Sequence, residues 1–391
     1  MTTTLSLYIF LFTDKVALIK VDNVMKFSIQ REPLLNALQK ISSVIEKKHT
    51  MEILGNVLFE AKEDKLTLSG TDLEVGLQIS LDAQIQEPGK LTLSTKHILD
   101  ITKELPNQPM HFVLKPNHWV EITCVKARFN VVSISAEGYP NLPLFEEKNY
   151  HYANSERLSE MIDKTEFAVS TDATRYHLNG VYLEVLSNTM IRMTATDGHR
   201  LSYIDHEVFT KPIELKRGVV IPKKGLTELH KMVQATKNVG IAFEKGYLYA
   251  KSENAYLFVR LIEADYPDYR QVIPQNLDKT IHLKREDLLG ALKRVSLMAH
   301  EKSKGVKLNI QDGLLSIASS NPDMGEARDE IGIDYSGESL EIGFNAKYIL
   351  DCLEVMKDSD IEFHFKDKTK PGLIQSTSHK NHCYVIMPMR I

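Results

Sequence analysis

Cysteine is scarce in this chain. Cys124, Cys352 and Cys383 are the only three in 391 residues, and they lie far apart without CxxC spacing. That excludes a disulfide framework and a cysteine zinc site, and it fits a reducing cytoplasm. Membrane-length hydrophobic runs are missing too. The apolar stretch LSLYIFLF at residues 5–12 falls far short of the ~20 residues that span a bilayer, so no membrane association is expected. The first basic residue is Lys15, so nothing resembles the charged start of a secretion signal. Residues 1–24 read as an N-terminal extension outside the fold. There is no surplus of positive charge either. The formal net charge is −4, and any surface that attracts nucleic acid must be a local patch.

Catalytic signatures are equally thin. His206 and His300 are each followed by Glu, but neither has the second His of a zinc-protease helix. Gly89 and Lys90 lack the earlier Gly of a phosphate loop, with Gln84 in its place. No GxGxxG and no GxSxG turn occurs. No metal or cofactor is expected.

What is present is a triplication. NVLFE at 56–60 leads to LTLSGTD at 66–72, GVYLE at 180–184 to IRMTATD at 191–197, and GVKLN at 305–309 to LLSIASSN at 314–321. Each is an alternating strand, a short turn and a second alternating strand. Val57, Val181 and Val306 are equivalent, 124 and 125 residues apart. A period this long marks tandem copies of one domain.

Each copy opens with a strand and an amphipathic helix. In the first, Leu34, Leu38, Ile41 and Ile45 follow helical spacing, and Pro33 suits the first turn. The corresponding helices begin at Ser155 and span 285–298. Second helices are expected over 95–105, 222–233 and 345–356, each after a short strand. Turn signals at Lys245–Gly246 and Asp312–Gly313 separate later strands. Helices on one side of antiparallel sheets make an α+β layer, with the other sheet face solvated. YPNLP at 139–143 and YPDY at 266–269 mark the joins, giving domains over 25–149, 150–277 and 278–391.

Lys40, Lys47, Lys48, Lys96, Lys103, Lys223, Lys224, Lys293, Arg294, Lys302 and Lys304 follow or occupy these helices. They suit sequence-independent phosphate contact, but on spacing alone an ordinary solvated helix face is the more usual role of such lysines. Asp197 and His199 flank a Gly and could share a proton or hold a metal, which would make a phosphoesterase. The equivalent turns of the other copies lack the His, so a turn is the simpler reading.

ILGN at 53–56, TATDGHRL at 194–201, YPDYR at 266–270, IGFN at 342–345 and YVIMPMRI at 384–391 stand in order on this triplication. Over residues 25–391 the sequence resembles the bacterial sliding clamps, the β subunits of DNA polymerase III. The resemblance implies three tandem clamp domains, with helices lining a hole and sheets on the rim. Two protomers would meet head to tail in a ring around double-stranded DNA, with no catalytic activity. Partners implied are the replicative polymerase catalytic subunit, the clamp loader, and other polymerases and repair proteins carrying a short Leu- and aromatic-ended motif.

It also implies site residues. A peptide groove between the second and third domains would use Leu178, Thr196, Gly198, His199, Arg200, Leu201, Pro267, Val272, Val385 and Met387 in its deep half. Arg175, His177, Asn345, Tyr348, Pro388, Met389 and Arg390 would form its shallow half. Flexible, polarizable Met387 and Met389 suit a site that accepts several ligands. DNA would meet Lys48, Tyr176, His177, Lys224, Lys302 and Lys304. The dimer interface would join Lys126, Arg128 and Phe129 to Leu297, Met298 and Glu326. On the residues alone, Phe129 and Leu297 read as core, and the terminal Met-Pro-Met as a packed chain end. A peptide-binding scaffold that never meets DNA stays open as an alternative.

Overall fold

The computed structural model describes residues 25–46, 51–143, 150–213, 215 and 217–391. The expected extension over 1–24 and the lysines Lys47 and Lys48 lie outside the described residues.

The first repeat forms one compact unit; the second and third, apart from 253–257, form another. In the first unit the strand Lys26–Gln30 feeds helix α1, Arg31–Val44, which buries Leu34, Leu35, Ala37, Leu38, Ile41 and Val44. The spacing of these residues makes one apolar stripe. Helix α2, Thr95–Glu104, packs beside α1 and buries Ile98. One antiparallel sheet runs Gln84–Glu87, Lys26–Gln30, Pro109–Leu114, Trp119–Cys124, Ala127–Val132. A second set, Val75–Asp82, Lys65–Thr71, Asn56–Lys62 and Gly89–Ser94, pairs in that order. Phe27 stacks on Phe112 at 4.6 Å, with Phe59 against both.

The other unit carries α3 (Ser155–Glu166), α4 (Lys223–Gln234), α5 (Arg285–Val295) and α6 (Ala346–Val355). Like α1 and α2, they pack as pairs, α3 on α4 and α5 on α6. Expected helix ends shift by a residue where a cap intervenes. Asn345 caps α6 through Oδ1 to the Lys347 N–H at 2.9 Å, and Pro222 is the residue before α4. The helix expected over 285–298 stops at Val295. Ser296–Met298 is a separate tight turn, in which the Ser296 hydroxyl donates to the Lys293 carbonyl. A Ser hydroxyl competing for a backbone carbonyl favours such a break, and it turns Leu297 outward.

An eight-stranded antiparallel sheet joins the second and third repeats. Its order is Val219–Pro222, Gly180–Ser187, Met190–Thr196, Arg200–Glu207, His382–Ile386, Gly372–Ser376, Asp360–Phe365, Lys279–Lys284. The joint is the pairing of Arg200–Glu207 with His382–Ile386, in the register Leu201 to Val385. A four-stranded sheet runs Gly325–Gly332, Leu314–Asn321, Gly305–Gln311, Leu340–Asn345. All three cysteines are buried free thiols.

Candidate functional site

The strand joint between the repeats brings the TATDGHRL turn and the C-terminal tail together. Thr196 ends one strand and Arg200 begins the next; between them Gly198 takes φ 88°, a left-handed conformation natural to glycine. Asp197 closes the turn. Its Oδ1 accepts the backbone N–H groups of His199 (2.9 Å) and Arg200 (3.1 Å), and its Oδ2 accepts from Arg200 Nε at 3.0 Å. The carboxylate is therefore committed to the turn and to Arg200, and it meets the backbone of His199 rather than its ring. The acid–base pair considered from sequence does not form.

Arg200 is only 7% exposed. Besides Asp197, it donates through Nη1 to Asp351 of α6 at 2.6 Å and through Nη2 to the Phe167 carbonyl at 2.6 Å. Its guanidinium lies 4.6 Å from the Tyr348 ring centre and 5.4 Å from that of Phe167. Burial works against the charge, but the Asp351 and Asp197 carboxylates outweigh it and hold the group firmly protonated. Arg200 thus ties the second repeat to the third from inside, rather than offering its charge to solvent.

Around this strut the expected groove residues converge. Arg175 Nη1 donates to the Asp197 carbonyl at 3.2 Å. The His199 and Tyr348 rings lie nearly parallel, 6.4 Å apart. Tyr348 is held from below, its carbonyl accepting the Tyr384 hydroxyl at 2.6 Å. The tail is fixed at two points: the Met387 N–H donates to the His199 carbonyl and the Met389 N–H to the Gly343 carbonyl, both at 2.9 Å. Asn345 lies two residues beyond Gly343 on the same strand. Leu178, Thr196, Leu201 and Val385 are buried; Gly198, His199, Pro267, Val272, Met387 and Arg390 are exposed, with His177, Pro388 and Met389 between.

The segment carrying Pro267 and Val272 is pinned by residues that sequence reasoning missed. Tyr269 packs with Leu201, Cys383 and Val385. Its hydroxyl donates to Glu184, which also receives Arg270 at 2.7 Å, and it accepts from Arg192 at 3.3 Å. Arg192 in turn grips Asp205 through two bonds of 2.6 and 2.7 Å. Tyr182 stacks on Tyr266 at 4.9 Å. The tyrosines were visible in YPDY as a motif, but nothing local pointed to their partners.

The other candidate residues fall into separate places. Tyr176 and His177 sit edge to face, 5.9 Å apart, on the short helical turn Ala173–Leu178. The Lys223 N–H at the start of α4 donates to the Asn179 carbonyl just after it, which brings Lys224 to the same end. Lys302 and Lys304 occupy the loop after Ser296–Met298, where the Lys304 carbonyl accepts the Ala346 N–H at 2.8 Å. Of the basic helix residues, Lys293 pairs with Glu354 at 2.8 Å and Arg294 with Asp329 at 2.6 Å. Lys40, Lys96, Lys103 and Lys223 are exposed.

Lys126, Arg128 and Phe129 lie on or beside Ala127–Val132, the terminal strand of the five-stranded sheet, with Phe129 half-buried. Glu326 lies on Gly325–Gly332, a terminal strand of the four-stranded sheet, and Ser296–Met298 packs against that strand. Leu297 is 71% exposed. The core reading of Leu297 is overturned, because the tight turn directs it away from the α5 stripe.

Three family models match in succession: the DNA polymerase III beta subunit N-terminal domain over residues 25–143, its central domain over 153–268 and its C-terminal domain over 270–390. A beta sliding clamp of Pseudomonas aeruginosa is 34% identical over 376 residues, covering 94% of this chain and 100% of that protein. The crystal structure of the DNA polymerase III subunit beta from the same organism superposes with a TM-score of 0.88 at 32% identity, covering 94% of this chain and 100% of that one. A sliding clamp from Bartonella birtlesii, solved bound to griselimycin, gives 0.90 at 29% identity with the same coverage. Matching folds and sequence along nearly the whole length leave one conclusion: the chain belongs to the DNA polymerase III beta subunit family, the non-catalytic sliding clamps of bacterial DNA replication.

Proposed function

We propose that two copies of this chain close head to tail into a ring around double-stranded DNA, in the cytoplasm, and slide without reading sequence. Three clamp domains with boundaries near 149 and 277 would build each half. The observation that carries this reading is the pair of unlike terminal strands. Ala127–Val132 carries Arg128 beside Lys126, and Gly325–Gly332 carries Glu326 and Glu330. Terminal strands invite pairing, and opposite charge around the apolar Phe129 and Leu297 favours one partner and one register. Lys48, Tyr176, His177, Lys224, Lys302 and Lys304 would touch phosphates, giving weak, salt-sensitive contact suited to movement.

The groove built on Arg175, His177, Leu178, Thr196, Gly198, His199, Leu201, Pro267, Val272, Asn345, Tyr348, Val385 and Met387 to Arg390 would take short peptide motifs. These would come from the replicative polymerase catalytic subunit, the clamp loader, and other polymerases and repair proteins. Arg200 would serve it from beneath.

The ring is tested on nicked circular duplex with a clamp loader. The protein should stay on circles at high salt and leave once the DNA is linearised; equal retention on both forms ends the proposal. For the groove, deleting residues 387–391 should abolish polymerase docking while sedimentation still shows a dimer. Loss of the dimer in that truncation contradicts the assignment.

A further inference from the structure

The strand Leu340–Asn345 contains a glycine that the strand itself does not need. Its neighbours Ile342 and Phe344 are buried core, so Gly343 points to the opposite face, where a side chain would normally sit. Its φ is not among the left-handed ones, so conformational freedom does not explain it. Glycine inside a strand weakens it, and often marks the close approach of another backbone.

Here the approaching backbone is the C-terminal tail. A Cβ on Gly343 would lie 2.6 Å from the Met389 carbonyl oxygen and 2.7 Å from Ile391 Cδ1. The same residue's carbonyl accepts the Met389 N–H. Gly305, on the adjacent strand and paired with Asn345, would bring its own Cβ to 3.3 Å from Ile391 Cδ1. Two glycines on neighbouring strands thus leave a smooth saddle, on which the Ile391 side chain rests while staying 61% exposed.

We propose that Gly343 is a positioning residue for peptide docking: with Gly305 it forms a saddle that seats Ile391 and so sets Met387 and Met389 at the groove. This rests on the peptide-groove reading given above. Upstream, the tail is tied to the second repeat through Met387 and His199. Downstream, among the described residues, the Met389–Gly343 bond and the saddle fix where it runs. Ordinary contact begins near 3.4 Å, so a methyl group at 343 forces the tail back by about 0.8 Å. A backbone oxygen, unlike the end of a flexible side chain, cannot swing aside. Shifts of this size at a shaped apolar site cost affinity steeply.

The test uses the full-length chain, a chain lacking residues 388–391, and Gly343→Ala in both. The probe is a fluorescein-labelled pentapeptide ending in Leu-Phe, read by anisotropy. Gly343→Ala should weaken binding about tenfold in the full chain, about 1.4 kcal/mol, and change nothing further in the truncated one. Gly305→Ala, with the milder clash, should weaken it less. In 13C-methyl methionine spectra of Gly343→Ala, the Met387 and Met389 signals should move while those of buried methionines such as Met161 and Met193 stay. Wild-type affinity in Gly343→Ala, or an equal loss in the truncated background, overturns the inference while leaving the groove standing. A truncated chain that binds the peptide as well as the full chain refutes the groove reading itself, and this inference with it. Should Gly343→Ala unfold the chain, as seen by circular dichroism, its strand role is structural and the inference is likewise refuted.

Discussion

Replacing Arg200 by Met removes a buried charge and its donors while keeping most of the stem between Phe167 and Tyr348. Three acceptors lose a partner, but unequally. Asp197 keeps two backbone N–H groups, and Asp351 keeps Lys347 at 2.9 Å. The Phe167 carbonyl loses the Arg200 bond outright. Stripping one member from a buried pair costs about 3–5 kcal/mol when the other is left bare; with both carboxylates part-satisfied, we expect about 3 kcal/mol. In a unit of this size each kcal/mol moves the midpoint by about 2–4 °C. Calorimetry should therefore place the transition of the second and third repeats about 6–12 °C lower, with that of the first repeat unmoved. Asp351→Asn alone should cost about 2 kcal/mol, and the double variant should cost at least 1 kcal/mol less than the sum, about the coupling seen for contacting residues. A midpoint within about 2 °C of the parent, or strict additivity, would show that the strut does not hold the two repeats together.

Acid should weaken the same unit through His382. This ring is buried with Nε2 3.0 Å from Ser202 Oγ, and desolvation, aided by the Lys164 charge, pushes its pKa down to about 3. The unfolded chain takes up a proton below about pH 6.5, which the native ring refuses until near pH 3, so stability is full above pH 6.5 and falls on acidification. Between pH 7.5 and 5 the loss should be about 2 kcal/mol in urea titrations; His382→Gln should flatten that slope, and an unchanged slope counts against the assignment. Leu297→Asp should weaken self-association at least tenfold by sedimentation velocity without lowering the melting temperature, and an unaltered dimer would remove Leu297 from the interface. Changing Lys302 and Lys304 to Glu should lower affinity for a short duplex, with the log–log salt slope reduced by about one per lysine. A parallel curve at the original slope would exclude both from phosphate contact.

Sequence disclosed most of what is local. Hairpins announced themselves by alternation, and Lys245 and Gly246 both take positive φ, as their turn signal required. Leu34, Leu38 and Ile41 of the α1 stripe followed from their spacing, whereas Ile45 falls just past the helix end in extended conformation and Val44 closes the stripe instead; the residues of the TATDGHRL turn were found through the family resemblance. What stayed hidden depends on distant pairing. Arg200–Glu207 has the same pattern whether its neighbour comes from its own repeat or from His382–Ile386, so the sheet shared by two repeats could not be read. Asp351 stands four residues after Lys347 and looks like half of an ordinary surface pair; its partnership with Arg200, 151 residues away in sequence, leaves no local trace. Gly343 stands out in sequence only as part of IGFN, because its purpose lies in a tail that crosses it from another element.

The burial of the three thiols has a practical consequence. Desolvation raises the pKa of Cys124, lifts that of Cys352 well above the ordinary range, and pushes that of Cys383 up to about 12. Maleimide reagents, which attack exposed thiolate, should pass over the native protein. A single cysteine introduced at Met324, exposed and outside the proposed contacts, could then carry a fluorophore with the three native thiols left in place, and report on ring opening.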